Sequence, residues 1–288
     1  MEIVHTVNEM QKQADTLRQN LHKITFVPTM GFLHEGHLSL VRAAKQYGDV
    51  VVVSIFVNPA QFAPHEDLDK YPRDFNRDQH LLEAEGVDII FYPRVSEMYP
   101  RPYHTYVQVS DLTEALCGLS RPEHFKGVTT VVTKLFNIVK PHSAVFGQKD
   151  FQQSQVIKQM VIDLNMDVEI IRAPIVRETD GLAMSSRNKY LDPQQRKDAR
   201  VLNSSLQTVR QMVQNGILKS TLLKEKIQEI ISAVPCQIDY IEIVDAETFK
   251  NIDTVKDNTL FALAVKIGNT RLIDNFYIEL LEKEKTWQ

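Results

Sequence analysis

Two histidines, His34 and His37, stand three residues apart in the stretch PTMGFLHEGHLSL (Pro28 to Leu40), with Glu35 and Gly36 between them. Imidazoles so placed can ligate a metal or donate hydrogen bonds to an anion. The zinc-protease pattern needs histidines four apart on a continuous helix, with glutamate directly after the first. Here the separation is three, a glycine intervenes, and no cysteine or obvious third ligand lies nearby, so no metal-ligating residue is assigned. An anion suits the stretch better. A glycine-containing turn that follows an apolar run and enters a helix offers backbone N–H groups and the positive end of a helix dipole. Two imidazoles add donors able to follow charge as it grows on phosphoryl oxygens. Gly36 leaves the helix start open to a close ligand.

Three further polar loops carry groups of related use: NPAQF (Asn58 to Phe62), GQKD (Gly147 to Asp150) and MSSRN (Met184 to Asn188). In open α/β sheets ligands bind at the carboxyl ends of strands, so the position of these loops after predicted strands matters more than the composition of any one. No Ser/His/Asp or Cys/His set is evident, and neither G-x-x-x-x-G-K-[ST] nor G-x-G-x-x-G occurs, which disfavours a P-loop NTPase and an ordinary dinucleotide enzyme.

The elements that must position these loops follow from hydrophobic pattern. ITFVP (Ile24 to Pro28) and VVVVSIFV (Val50 to Val57) are continuous apolar runs, as expected of strands buried on both faces. Between them HLSLVRAAKQYG has helical periodicity, with Gly48 as a stop, giving a βαβ unit. DFNRDQHLLEAEG, GVTTVVTKLFNIVKP and DFQQSQVIKQMVIDLN read as further helices, and VDIIFYP, SAVFG and DVEIIRAP as strands. This alternation predicts a Rossmann-like, doubly wound, mostly parallel sheet, whose ligands lie at the carboxyl ends of strands. Beyond about residue 175 the pattern changes to helices near Pro193 to Asn215 and Lys219 to Ala233, then to strand runs with GNT (Gly268 to Thr270) as a hairpin turn. The expected division is residues 1–175, an α/β domain, and 176–288, a smaller α+β domain, with EKEKTWQ as a frayed tail.

At 288 residues two domains are natural. A formal charge of -4 argues against a nucleic-acid partner held by bulk field. Two cysteines, Cys117 and Cys236, far apart, exclude a disulfide framework and suit a reducing cytoplasm. Neither a signal peptide nor a run of membrane length is seen, so a soluble protein without a membrane partner is expected.

Five motifs taken together are more specific than any one. PTMGFLHEGH resembles the HIGH-type signature of the nucleotidyltransferase superfamily. With SIFVNPAQF, RPEHFKGVTTVV, FGQKDFQQ and GLAMSSRN, in that order, the chain resembles the pantothenate synthetase (pantoate-β-alanine ligase) family from about residue 28 to 193. The resemblance implies ATP-dependent condensation of (R)-pantoate with β-alanine to pantothenate, AMP and pyrophosphate through a pantoyl adenylate. ATP is then a substrate accompanied by Mg2+, no cofactor is tightly bound, and the protein is a homodimer. Position by position, it implies ATP contacts from Met30, Gly31, Phe32, Leu33, His34, Glu35, Gly36 and His37, and from Gly147, Gln148, Lys149 and Asp150. Val176 would touch adenine, while Met184, Ser185, Ser186 and Arg187 match a KMSKS-type loop at the β- and γ-phosphates. His37 is the proton donor to leaving pyrophosphate, assisted by His34 and Lys149. Gln61 and Gln153 match the pantoate pair, Gln61 also bordering β-alanine, and Asn58 shapes the pocket floor. The smaller domain would close over the site.

Cys117 departs from the pattern, since family sequences often carry glutamate there; the mildest reading is a small buried residue near the site. Other readings are a different adenylyl- or cytidylyltransferase acting on a phosphorylated acceptor, and a nucleotide-binding module without catalysis or an RNA-binding relative of synthetases. Glutamines rather than basic residues in NPAQF and QKDFQQ weigh against the first, and the acidic net charge without a basic, aromatic-studded stripe weighs against RNA.

Overall fold

The computed structural model describes residues 1–64 and 66–279. The EKEKTWQ tail lies outside them. The chain divides into two compact units, Met1–Thr113 with Arg121–Val176, and Glu114–Ser120 with the chain from Arg177 onward.

The first unit runs β1 (Glu2–Val4), α1 (Val7–Gln19), β2 (Ile24–Thr29), α2 (Glu35–Ala44), β3 (Val50–Ile55), α3 (Phe75–Ala84), β4 (Ile89–Phe91) and α4 (Val95–Met98). The short α5 (Cys117–Ser120) belongs to the second unit. The first resumes with α6 (His124–Val139), β5 (Ser143–Gly147), α7 (Phe151–Asp163) and β6 (Glu169–Ala173). All neighbouring strands of its sheet are parallel, in the order β1-β4-β3-β2-β5-β6. The apolar runs produce this sheet because both its faces are covered. Phe26 meets Phe136 of α6 edge-on at 6.4 Å, whereas the adjacent Val27 packs with Leu38 and Val41 of α2; successive strand side chains face opposite ways. Phe26 and Val27 are both fully buried, and burial of such a side chain contributes about 2 kcal/mol.

Chain order reverses at β2, which has β3 on one side and β5 on the other. β2 pairs with β3 along six residues, Ile24 to Thr29. It pairs with β5 only at Thr25–Ser143 and Phe26–Ala144, near the amino end. The carboxyl ends of β2 and β5 are therefore unpaired with each other, which opens a crevice at the switch point where ligands bind in such sheets.

In the second unit, α8 (Pro193–Ala199), α9 (Val201–Gln214) and α10 (Ser220–Ile231) accompany an antiparallel sheet β7 (Gln237–Asp245), β8 (Thr259–Ile267) and β9 (Thr270–Ile278). Leu206, Val209 and Ile227 of the helices share one core with Phe261, Leu263 and Val265. Gly268, at φ +55°, opens the two-residue turn joining β8 to β9, as the GNT stretch predicts.

The Pro193 to Asn215 segment is two helices rather than one, with Arg200 at their junction. Residues Glu114–Ser120 belong to the second unit although sequence order places them within the first; Ser120 Oγ donates to Asp239 Oδ1 of β7 at 2.7 Å. Cys117 accordingly lies beside Tyr240 and Arg271, half-buried rather than fully buried.

Candidate active site

The loop between β2 and α2 lies at the carboxyl end of β2. Thr29 Oγ1 donates to the Ser54 carbonyl at 2.7 Å and accepts from the Gly31 N–H at 3.2 Å, tying the loop to β3. Gly31 and Phe32 both have positive φ, +78° and +50°. A side chain at Gly31 would stand 2.9 Å from Ile55 Cγ2 and 3.0 Å from Asp78 Oδ2, so the turn needs glycine for conformation and for space. His34 is the N-cap of α2, in extended conformation at φ -140°.

The loop's amides are not all turned outward. Phe32 N–H donates to Asp78 Oδ2 at 2.6 Å and Leu33 N–H to Asp78 Oδ1 at 2.7 Å. His34 N–H donates to His37 Nδ1 at 3.3 Å. The sequence expectation that these amides meet an anion is corrected on this point. The amides of Glu35 and Gly36, the first two helical positions, have no intrahelical carbonyl by geometry, and they are the donors the helix start offers. Glu35 is held through its carboxylate by Arg42, which also pairs with Glu85. That side chain is thus engaged along the helix, leaving its backbone as the part suited to a ligand.

The rings of His34 and His37 lie 4.0 Å apart between centroids, 32° from parallel. His37 Nδ1 accepts, so its neutral ring carries the proton on Nε2. Burial, then the nearby charges of His34 and Lys149, hold the His37 pKa well below the usual histidine value. Lys149 stands in the 3-10 turn Gln148–Asp150 directly after β5. The β2 and β5 loops are therefore neighbours across the crevice, as their predicted strand ends require.

Asn58 and Gln61 are joined by a buried network. The turn Pro59–Gln61 follows β3 and is capped by Asn58, whose Oδ1 accepts from the Ala60 N–H at 3.2 Å. Asn58 Nδ2 donates to Gln61 Oε1 and to the Gly127 carbonyl, each at 3.1 Å. Tyr99 OH donates to Asn58 Oδ1 at 2.8 Å. Gln61 Nε2 then donates to Met30 Sδ at 2.9 Å, reaching the β2 loop. The backbone carbonyl of Gln61 accepts from His124 Nδ1 at 3.0 Å and from Arg121 Nη2 at 3.3 Å. Arg121 forms a fork with Glu66, Nε to Oε1 at 2.5 Å and Nη2 to Oε2 at 2.8 Å. α6 approaches this turn so closely that a Cβ at Gly127 would lie 2.2 Å from the Ala60 carbonyl oxygen.

Gln153 is half-buried in the first turn of α7, and Asp150 before it is exposed. Val176 is the last residue of the first unit. Met184, Ser185, Ser186 and Arg187 belong to the second unit, where Ser185 caps the turn Ser186–Tyr190 by accepting from the Arg187 N–H at 3.3 Å. That segment is anchored through Asn188 Nδ2, which donates to Glu178 Oε1 at 2.7 Å. Glu178 also pairs with Arg196, and Arg177 with Asp274.

Asp78, Tyr99, His124 and Gly127 carry the site's internal bonds without having been singled out by motif. RPEHFKGV contains two of them and signalled the region, but not the roles. Among the described residues no group of three or more His, Cys, Asp or Glu is placed to hold a metal ion, and no helix is long and apolar enough to cross a membrane.

A parallel sheet with two loops meeting at its switch point, one bearing the paired imidazoles and the other a lysine, defines a Rossmann-like α/β protein. The chain belongs to the pantoate-beta-alanine ligase family, whose model matches residues 2–277. It is 54% identical over 284 residues to the pantothenate synthetase of Acetivibrio thermocellus, covering 97% of this chain and 100% of that one. With that of Thermotoga petrophila it shares 55% over 276 residues, covering 96% and 99%. A crystal structure of pantothenate synthetase from Thermus thermophilus superposes with a TM-score of 0.91 at 44% identity, over 96% of this chain and 99% of that one. The Francisella tularensis pantoate-beta-alanine ligase, solved with β,γ-ATP and β-alanine, gives 0.80 at 36% identity, over 96% and 97%.

Proposed function

We propose that this protein condenses (R)-pantoate with β-alanine at the expense of ATP, through a pantoyl adenylate. The observation that carries the reading is the bond from Gln61 Nε2 to Met30 Sδ. It sets the amide matched to pantoate against the loop matched to ATP, and the two reacting groups must meet. The family membership and the ATP- and β-alanine-bound relative support the same substrates.

In the first step a pantoate carboxylate oxygen attacks the α-phosphorus of ATP, the bond to the β-phosphate oxygen breaks, and pyrophosphate leaves with the electron pair. The carboxylate is already a nucleophile, so the protein contributes alignment and charge stabilisation. Gln61 and Gln153 orient pantoate, with Asn58 fixing the Gln61 side chain. His37 donates from Nε2 to the oxygens of the departing pyrophosphate, while His34 and Lys149 share their charge. Contacts to ATP from Met30 to His37, from Gly147 to Asp150, and from Val176, Met184, Ser185, Ser186 and Arg187 follow from their match to the family motifs. In the second step the β-alanine nitrogen attacks the acyl carbon, the carbon-oxygen bond to AMP breaks, and the amine releases a proton.

The β2 loop offers imidazoles and amides, a set suited to phosphate oxygens; Mg2+ accompanies ATP on phosphate oxygens and water. The protein acts as a cytoplasmic homodimer, a reading that rests on the resemblance and on sparse cysteine. Exchange of labelled pyrophosphate into ATP tests the scheme. Exchange that requires pantoate but not β-alanine is expected; exchange indifferent to pantoate would rule the scheme out.

A further inference from the structure

We propose that Asp78, in the first turn of α3, is a positioning residue for the nucleotide loop, acting through the backbone of Phe32 and Leu33. The inference rests on assigning that loop to ATP. Asp78 is 1% exposed, and its two carboxylate oxygens accept separately from consecutive amides, 2.6 Å to Phe32 and 2.7 Å to Leu33. These amides belong to the turn that precedes the His34 cap, and its backbone has positive φ at Gly31 and Phe32. A positive φ in a non-glycine residue is disfavoured by itself and persists where surrounding bonds fix it.

Arg77 reinforces the clamp from outside. Its guanidinium lies 5.2 Å from the centre of the Phe32 ring and 3.6 Å from Asp78 Oδ1. Two neighbouring residues of one helix thus hold the ring and the amides of the same turn. With the amides of Phe32 and Leu33 taken up beneath the loop, those of Glu35 and Gly36 remain for the ligand. The carboxylate decides which donors face the nucleotide.

Asparagine at this place keeps the shape but has one acceptor oxygen and an NH2 group, so one backbone donor would face another donor. Asp78→Asn, Leu82→Ala and His37→Ala are compared by steady-state kinetics and thermal melting. Leu82 is fully buried in the same helix and belongs to the core that Leu33 joins, so its truncation lowers stability and loosens packing under the loop while leaving the carboxylate and both amides in place. Expected for Asp78→Asn is an ATP KM raised about tenfold or more with a pantoate KM within about twofold, while Leu82→Ala shifts the melt but neither KM. An Asp78→Asn enzyme with ATP kinetics like those of Leu82→Ala, beside a damaged His37→Ala, would overturn the proposal and spare the loop's assignment. Unchanged ATP kinetics in both Asp78→Asn and His37→Ala would overturn the assignment itself.

Discussion

His37 Nδ1 accepts the backbone N–H of His34 at 3.3 Å while the two rings lie 4.0 Å apart. One imidazole is thereby oriented by the other's backbone, and its remaining nitrogen is left as a donor. His37→Ala should fold normally and lose roughly 10²-fold or more in adenylation, the scale of removing one preorganised donor. Pyrophosphate exchange measures this directly, and near-normal exchange would remove His37 from the chemistry.

ATP binding should take up protons. Burial and the charges of His34 and Lys149 depress the His37 pKa in the free protein, and a polyanion beside it acts in the opposite sense. The uptake appears between the lowered pKa of the free ring and the higher one of the bound ring, and the added proton goes to Nδ1 at the expense of the bond from the His34 N–H. Calorimetry near pH 6 in buffers of different ionisation enthalpy would count the protons, and His37→Ala should reduce that number.

Lys149→Ala should weaken ATP binding or slow adenylation, because Lys149 is close enough to His37 to depress its pKa and stands at the carboxyl end of β5. Loss of a charge-assisted phosphate contact corresponds to about 1.5–3 kcal/mol. Unchanged kinetics would move the phosphate site away from this loop.

Gly127→Ala should damage pantoate handling. The added methyl would meet the Ala60 carbonyl oxygen at 2.2 Å and Gln61 Cα at 2.6 Å, so the turn bearing Gln61 must shift. Alanine favours a helix by about 1 kcal/mol over glycine, but overpacking costs about 1–3 kcal/mol. A pantoate KM raised more than the ATP KM, with stability falling in urea, is expected. A more stable enzyme with normal pantoate kinetics would contradict the contact.

Stability should fall with acid through His124. Burial, and then Arg121, lower its pKa to about 4. The unfolded chain binds a proton near the ordinary value of about 6.5, before the folded one does. Stability is therefore complete above about 6.5 and declines as pH falls toward 4, by about 3 kcal/mol from this residue. Depressed values at His37 and His142 act in the same direction. His124→Asn, which keeps a donor for the Gln61 carbonyl, should flatten the pH dependence of urea midpoints between pH 7.5 and 5.

Strands β2 to β6 and helices α2, α3, α6 and α7 were legible because both-face burial makes strands such as Val50–Ile55 apolar at nearly every position, and helices such as His124–Val139 carry an apolar stripe. β1 was not legible: with three residues it has no periodicity, and its pairing of Ile3 with Ile90 comes from distant chain. The same reason hides the placement of Cys117 and Ser120, since Ser120 finds Asp239 across 119 positions. Among site residues, histidines, glutamines and a lysine in strand-end loops announce themselves by type. Asp78 does not, because an aspartate in the first turn of a helix reads as an ordinary dipole partner. Only its distance to two amides 45 and 46 residues earlier distinguishes it.

The pairing of β2 with β5 also sets an order of assembly. Thr25 and Ser143 meet hydroxyl to hydroxyl at 2.9 Å, 118 positions apart, whereas β2, β3 and β4 all lie within the first 91 residues. During synthesis those three strands can pair while β5 is still unmade. The crevice has only one wall until about residue 147 emerges. A nascent chain can thus hold a histidine loop before it has a lysine to face it, and competence for the nucleotide comes only with the late, long-range contact that slows folding.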